Sequence, residues 1–472
     1  MKLGALLGND DPTPVTGFAI DHRKVAPGNV FGAFQGMSVN GEDFIDAAVA
    51  AGAIAVVARP DACVAGAVHI AEDEPRRAFA LLAAKFFAPF PDICVAVTGT
   101  NGKTSTVEMT RQLWRMAGFH AASIGTLGVT TADDRIVTGL TTPDIVTFLS
   151  NMAGLNREGV SHAAFEASSH GLHQCRIEGL PVRAAAFTNL SRDHLDYHGD
   201  MANYFTAKLR LFSEVVDGDG AAVVWADDGE HSARVIDLAR ERGLALLTVG
   251  RHGSALRLVE RIPGQLGQQL VLEAEGKEVK VMLPLIGAYQ AANALVAAGL
   301  VIATGGDVST TLANLARLQP VRGRLERAVI AKSGAPVYVD YAHTPDALEA
   351  AIEALKPHAK GRLIIVFGAG GDRDTGKRPE MGAVAVRMAD HVIVTDDNPR
   401  SEDPAKIRAD ILAAATGASD IGGRREAIAA AIAESGPDDI ILIAGKGHEQ
   451  GQIVGDKVLP FDDVAVAREC AA

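Results

Sequence analysis

The chain has little cysteine, no excess of positive charge and no long apolar run. Its four cysteines, Cys63, Cys94, Cys175 and Cys470, are scattered and form no metal-ligand spacing. Reduced, mostly buried thiols are the expectation. Lys and Arg number 45 against 58 Asp and Glu, a formal net charge of −13. That balance disfavours nucleic acid as a partner, and anionic substrates must be met by local basic groups. No uninterrupted apolar run approaches the ~20 residues needed to cross a bilayer, so membrane insertion is not expected. The N-terminus has Lys2, a short apolar stretch and then Asp10-Asp11-Pro12, which does not read as a signal peptide. What is present is size and apolarity. The 472 residues are 48% hydrophobic, which excludes a disordered chain and leaves room for about two to four domains. A cytoplasmic α/β enzyme is expected, with no short-period repeat.

Apolar runs and helical patterns divide the chain into three segments: 1–90, 91–320 and 321–472. In the first, Val30 to Phe34 and Ala53 to Val57 read as strands around a helix at Phe44 to Gly52. In the second, Ile93 to Val97, Ala163 to Phe165, Ala184 to Thr188, Ala221 to Trp225 and Ala245 to Val249 alternate with helical patterns. This rhythm predicts a mainly parallel sheet. Leu258 to Leu283 reads as a hairpin-rich insert and Ala288 to Ala303 as an Ala-rich helix. The third segment repeats the rhythm at Val337 to Asp340, Leu363 to Phe367, Val392 to Thr395 and Asp439 to Ala444, with a helix near Asp346 to Leu355. Open sheets of this kind place ligands at the carboxyl ends of their strands.

The most informative stretch is Thr98-Gly99-Thr100-Asn101-Gly102-Lys103-Thr104-Ser105, between an apolar strand and a helical pattern that Gly118 stops. Backbone N–H groups of a tight turn and the positive end of a helix dipole hold phosphate oxygens. Lys103 can reach the β- and γ-phosphates, and the Thr104 hydroxyl can ligate Mg²⁺. The general phosphate-loop pattern wants a glycine where this chain has Val97. An ordinary Gly-rich turn is the plain alternative.

Further polar clusters also follow strands. Glu166 is placed to ligate a metal, although a strand-end Glu is more often a cap or a salt-bridge partner. Gln174 and Arg176 could hold a carboxylate, with Arg as a bidentate fork. Asn189, Asp193, His194, Asp196 and His198 are dense enough for a second metal site, or for a polar loop capping a helix. In the third segment, Asp340 to Asp346, Gly368 to Asp374, Asp397-Asn398-Pro399-Arg400 and Gly445 to Glu449 each begin at a strand end. The glycines at 368–371 do not fit a dinucleotide fingerprint. Arg373 and Arg400 offer cationic forks, while Asp397, Asn398 and Glu449 offer acceptors for ammonium groups. A zwitterionic, amino-acid-like ligand would use both kinds.

Together, residues 98–105, Glu166 to His170, Thr188 to Gly199, Asp340 to Pro345 and Asp397 to Arg400 closely resemble the Mur ligases of peptidoglycan synthesis, over about Asp21 to Asp462. The match is best to the diaminopimelate-adding branch. The resemblance implies three α/β domains: a uridine-nucleotide-binding domain at 1–90, a phosphate-loop ATPase domain at 91–320 and a Rossmann-like amino-acid-binding domain at 321–472. It implies a cytoplasmic ligase of cell wall biogenesis, acting as a monomer with Mg²⁺. That ligase spends ATP to join meso-diaminopimelate to UDP-N-acetylmuramoyl-L-alanyl-D-glutamate through an acyl phosphate.

On the same footing, Thr98, Gly99, Thr100, Asn101, Gly102, Lys103, Thr104, Asn189, Arg324, Asp340 and His343 would bind ATP. Thr104, Glu166, His194 and Lys208, the last as a carbamate, would serve the metal; Lys103, Lys208, Glu166 and His194 would be catalytic. His22, Met37, Ser38, Val39, Thr141, Thr142, Ser168, Gln174 and Arg176 would hold the UDP-muramoyl dipeptide. Arg373, Asp397, Asn398, Pro399, Arg400, Gly445 and Glu449 would bind diaminopimelate. The family commonly has Ser where this chain has His22, and often Asn where it has Leu140. Nucleotide on one domain and amino acid on another imply that the third domain closes inward. The rival readings are a lysine-adding ligase, disfavoured by Arg400, a folylpolyglutamate synthase, disfavoured by the separate N-terminal segment, and a nucleotide-binding switch without ligase activity.

Overall fold

The computed structural model describes residues 1–36, 39–131, 135–136, 140–264 and 266–472. The chain forms two compact units, Met1–Leu256 with Val296–Thr311, and Arg257–Leu295 with Leu312–Ala472.

The first unit contains two sheets. The smaller has four parallel strands in the order Gly17–Ala19, Asn29–Gly32, Ala55–Ala58, Val68–Ala71. Alternate side chains leave opposite faces of a strand. Val30, Ala55 and Val57 accordingly join the core of helix Pro75–Phe87, through Phe79, Ala80 and Ala83. Phe31, Val56 and Ala58 pack with Ile45 and Ala48 instead. The helix starts on a proline at its first turn, where a missing N–H costs nothing, and stops just before Pro89.

Within this unit the larger sheet runs Ala245–Gly250, Ala221–Trp225, Ala184–Phe187, Ile93–Thr98, His162–Glu166, Ala121–Gly125, Gly128–Thr130, Arg135–Ile136. Its first six strands are parallel and the last two antiparallel. The central strands are apolar throughout because both faces are covered. The order reverses at Ile93–Thr98, whose neighbours are the later strands His162–Glu166 and Ala184–Phe187. Their registers, Val97 opposite Glu166 and Thr98 opposite Phe187, bring three strand ends level. A crevice at such a switch point is where open sheets bind ligands.

The second unit holds an antiparallel meander, Leu256–Gly264, Gly267–Ala274 and Lys277–Leu283. It also holds a six-stranded sheet in the order Glu326–Ile330, Pro336–Asp340, Ile440–Ala444, Leu363–Phe367, His391–Val394, Ser419–Asp420. All its pairs are parallel except the first. Leu363, Ile365 and Phe367 feed the core on one face, Ile364 and Val366 that on the other. A hairpin, Gly451–Val454 with Lys457–Pro460, follows the last long strand.

The expected first two segments lie in the first unit, except 257–295 and 312–320. The meander goes with the C-terminal residues because they bond to it: His358 Nδ1 donates to the Gly264 carbonyl (2.5 Å) and Arg327 to that of Leu266 (3.3 Å). One expectation needs correcting. Only Cys94 and Cys175 are buried, while Cys63 is exposed and Cys470 half-buried. Among the described residues no helix is long and apolar enough to cross a membrane.

Candidate functional site

In the first unit the loop after Ile93–Thr98 turns on Gly99 and enters helix Lys103–Met116 at Gly102. Gly99 has φ +144°, and a Cβ there would lie 1.9 Å from Thr188 Oγ1, so no other residue fits. The loop is stitched to the next strand end. Thr100 N–H donates to the Asn189 carbonyl (2.8 Å), Asn101 N–H to Asn189 Oδ1 (2.9 Å) and Thr188 Oγ1 to the Asn101 carbonyl (2.6 Å). Lys103 Nζ donates to the carbonyls of Gly99 and Thr100, both at 2.8 Å. Thr98, Gly99, Thr100, Asn101, Gly102, Lys103, Thr104 and Asn189 therefore form one continuous structure, as a phosphate cradle requires.

Lys208, on helix Met201–Arg210, is 1% exposed and donates to the same Gly99 carbonyl at 2.7 Å. Burial, reinforced by the charge of Lys103, pushes its ammonium far below the ordinary lysine value. Tyr204 joins this corner to the loop. Its ring lies 4.3 Å from Lys208 Nζ and its hydroxyl shares a hydrogen bond with Thr100 Oγ1 (3.2 Å). His194 is less enclosed, with 48% of its side chain exposed, and its Nε2 lies 3.4 Å from the Asp193 carboxylate. Its backbone is left-handed (φ 51°), and its ring packs against His170 with centroids 4.8 Å apart.

The remaining strand end carries Glu166, whose carboxylate accepts from Thr126 N–H (2.7 Å) and hydroxyl (3.3 Å). It thus caps a turn, the commoner role of a strand-end Glu, while staying beside the switch point. Thr126 shares a hydrogen bond with Thr141 (3.0 Å), and Thr142 Oγ1 donates to the Glu166 carbonyl (2.8 Å) and accepts from Ser168 N–H (3.1 Å). Arg176 donates to the Thr142 carbonyl (2.8 Å) and grips Gln174 Oε1 with its fork (3.2 and 2.7 Å). Thr141, Thr142, Glu166, Ser168, Gln174 and Arg176 are therefore one bonded set. Gln174 also donates to Tyr197 Oη at 2.9 Å.

Of the residues expected at the uridine site, Met37 and Ser38 lie outside the described residues. Val39 is 56% exposed. His22 stacks flat on Phe44, with centroids 4.4 Å apart and planes 4° from parallel. An aromatic pair is thus present where a serine would leave Phe44 bare.

Among the described residues no three His, Cys, Asp or Glu side chains are arranged to hold a metal ion. Mg²⁺ commonly takes one or two protein oxygens and completes its shell with phosphate and water. Glu166 and the Thr104 hydroxyl suit that pattern. A cationic Lys208 does not, whereas an anionic carbamate on it would.

In the second unit Asp340 ends a strand with its carboxylate accepting from Leu325 N–H (2.7 Å) and Ala342 N–H (2.8 Å). Burial raises this carboxyl above its ordinary value, opposed by the charge of Arg324. Arg324 lies over the Tyr341 ring at 4.9 Å, and the surface residue His343 bonds through Nδ1–H to the Tyr341 carbonyl (2.8 Å). Arg324, Asp340 and His343 therefore share one loop cluster.

The turns at 368–374, 397–400 and 445–449 also meet. Asn398 donates to Glu449 Oε2 (2.9 Å), and Arg400 Nη1 donates to the Gly371 carbonyl (2.8 Å). Gly445 has φ +115°, and a Cβ there would approach Asp397 Oδ2 to 2.5 Å. Asp397, Asn398, Pro399, Arg400, Gly445 and Glu449 are thus gathered, while Arg373 projects from the surface on the neighbouring turn. The role expected of Asn398 needs correcting. Its Oδ1 already accepts from Lys446 Nζ (2.9 Å) and Ile453 N–H (3.0 Å), so what its amide can still offer is a donor, not an acceptor.

Sequence reasoning gave no role to Lys446, Arg378 or Tyr204. Arg378 is 1% exposed and spans the Gly370 carbonyl (3.3 Å), Glu402 (2.8 Å) and Asp410 (2.9 Å). A lysine between two glycines or an arginine inside a helix looks like a surface residue, and only burial distinguishes it.

Known proteins match this chain over nearly its whole length. Family models described as "Mur ligase family, catalytic domain", "Mur ligase middle domain" and "Mur ligase, glutamate ligase domain" match residues 14–85, 97–301 and 323–447. A UDP-N-acetylmuramoyl-L-alanyl-D-glutamate--2,6-diaminopimelate ligase of Zymomonas mobilis is 60% identical, over 97% of this chain and 94% of its own length. One of the same name from Bradyrhizobium diazoefficiens is 53% identical, over 98% and 97%. A solved structure of a ligase so named is 32% identical with a TM-score of 0.76, covering 100% of this chain and 98% of its own. The chain belongs to the Mur ligase family.

Proposed function

We propose that the protein is an ATP-dependent amide ligase that joins meso-diaminopimelate to UDP-N-acetylmuramoyl-L-alanyl-D-glutamate. The observation that carries this reading is Arg400, anchored beside Asp397, Asn398 and Glu449, in a chain 60% identical to a ligase of that name. Diaminopimelate differs from lysine by one carboxylate, and an anchored Arg fork recognises that group. The three domains would divide at residues 90 and 320, and the enzyme would act as a monomer in the cytoplasm.

The chemistry has two steps. The substrate carboxylate oxygen attacks the γ-phosphorus of ATP; an O–P bond forms, the β,γ-bridging bond breaks and ADP leaves. The amine of diaminopimelate then attacks the acyl carbon. A C–N bond forms, phosphate departs with the C–O electrons, and the nitrogen gives up its proton. Lys103 and the N–H groups at the start of helix Lys103–Met116 would neutralise charge on the transferring phosphoryl group. Thr98 to Thr104 with Asn189, and Arg324, Asp340 and His343, would hold ATP. Thr141, Thr142, Ser168, Gln174 and Arg176, with His22, Met37, Ser38 and Val39, would hold the muramoyl dipeptide. Arg373, Asp397, Asn398, Pro399, Arg400, Gly445 and Glu449 would receive diaminopimelate. Mg²⁺, when bound by Thr104, Glu166, His194 and a carbamylated Lys208, would supply further positive charge at the phosphates. The depressed basicity of Lys208 supports carbamylation, because the neutral amine is the form that adds CO2.

The test is phosphate release from ATP with Mg²⁺ and UDP-N-acetylmuramoyl-L-alanyl-D-glutamate, comparing meso-diaminopimelate, L-lysine and no amino acid. Release that requires diaminopimelate, with a product heavier by one such residue, is expected. Release with lysine alone would overturn the specificity, and release with neither would overturn the activity.

A further inference from the structure

Lys446 is a buried charge for which the proposed chemistry has no use. It is 0% exposed, an expensive place for an ammonium unless every proton is matched. Its Nζ donates to Asn398 Oδ1 (2.9 Å) and Glu449 Oε2 (3.1 Å), with Asp397 Oδ1 3.7 Å away. All three partners are side chains assigned above to the amino-acid ligand.

Two consequences follow from that contact set. First, Asn398 Oδ1 faces two obligate donors, the Lys446 ammonium and Ile453 N–H (3.0 Å). Only an oxygen can face two donors, so the amide orientation is fixed. Its Nδ2 must point away, one proton toward Glu449 (2.9 Å), the other left for a ligand. Second, one buried cation stands between two carboxylates. Asp397 and Glu449 together with Lys446 leave one net negative charge, the complement of one ammonium.

A purely architectural role is already filled by other groups. Arg424 and Asp463 form a fully buried ion pair, and Arg424 donates to the Ala444 carbonyl (3.0 Å) and that of Asp396 (3.4 Å). The backbones of both turns are held there. The hairpin adds Gln452 Nε2 to the Asp397 carbonyl (2.6 Å) and Arg400 N–H to the Ile453 carbonyl (3.0 Å). Lys446 holds side chains, not backbone.

We infer that Lys446 is a positioning residue for the incoming amino acid, orienting the Asn398 amide and offsetting one of the two carboxylate charges, so that the site accepts one ammonium beside a carboxylate. The inference rests on the proposed function above.

The experiment measures KM for diaminopimelate, ATP and the UDP-muramoyl dipeptide, together with kcat and melting temperature, for the full chain and for Lys446→Met and Lys446→Ala. A KM for diaminopimelate raised about tenfold or more is expected, with the other two within about twofold. In Lys446→Ala, ethylammonium chloride should lower that KM again and sodium chloride should not, because only the former refills the cavity with a donor cation. An unchanged KM for diaminopimelate, or a fall in kcat with all three KM values moving together, would overturn the inference. So would loss of folding in both variants, since the lysine would then hold the domain and not the ligand groups. A wild-type chain inert toward diaminopimelate would overturn the proposed function itself, whereas an active wild type with an unaltered variant overturns this inference alone.

Discussion

The loop at 98–105 and the turns around Arg400 hold their shapes by different means. In the first unit the phosphate loop is stitched to Thr188 and Asn189 by backbone groups and neutral side chains. Its two lysines, Lys103 and Lys208, both donate to one carbonyl, that of Gly99. In the second unit the turns are tied by buried charge: Arg378 to Glu402 and Asp410, Arg424 to Asp463, and Lys446 to Glu449 and Asp397. The ligands explain the difference. Phosphate is met by N–H groups and a helix end, which a short run of chain supplies. A zwitterion needs opposite charges a few ångströms apart, and these collapse on one another unless buried partners hold each in place.

The two sites should differ most at Lys103. Lys103→Ala should lower the rate of phosphate release by about 10³-fold or more while the melting temperature moves little, because the loop is held by other bonds. Arg400→Ala should come next, losing about 10²-fold in kcat/KM for diaminopimelate with KM for ATP unchanged, as measured by steady-state kinetics. For Lys208, removing dissolved CO2 and bicarbonate should slow the wild type, and bicarbonate should restore it. Lys208→Arg, which cannot be carbamylated, should stay slow under both conditions. Gly445→Ala should cost about 1–3 kcal/mol of stability, read from urea midpoints, because φ +115° and the contact with Asp397 oppose any side chain.

The smallest effect concerns the meander. Burial lowers the His358 imidazole below its ordinary value, and its Nε2 accepts from Gly287 N–H (3.3 Å), a bond that only the unprotonated nitrogen makes. The folded state therefore binds this proton less readily than the unfolded one. The stabilisation is present above about pH 6.5 and is lost as pH falls below it. The melting temperature should decline from pH 7.5 to 5.5, and His358→Ala should flatten that slope.

Much of this was legible in the residues. The strands at 93–98, 184–187, 363–367 and 440–444 announce themselves as short apolar runs because both faces of a parallel sheet are buried. Lys103 was visible because Gly-Lys-Thr at the start of a helix is a local pattern. Lys446 was not: Glu449 lies three residues on, but its other partners, Asn398 and Asp397, lie 48 and 49 residues back, and only the fold brings them together.

The chemical groups of this chain can be read from its residues alone: a phosphate loop, a lysine in Ala207-Lys208-Leu209, and an Arg after Asp-Asn-Pro. Those are local patterns, set by what a turn or a helix start can bind. The tertiary structure alone decided their state. Burial, reinforced by the charge of Lys103, drives Lys208 toward the neutral amine. Ile453 and Lys446 turn Asn398 into a donor. Burial and the approach of distant strand ends set protonation and hydrogen-bond direction, and neither is a property of neighbouring residues in the chain.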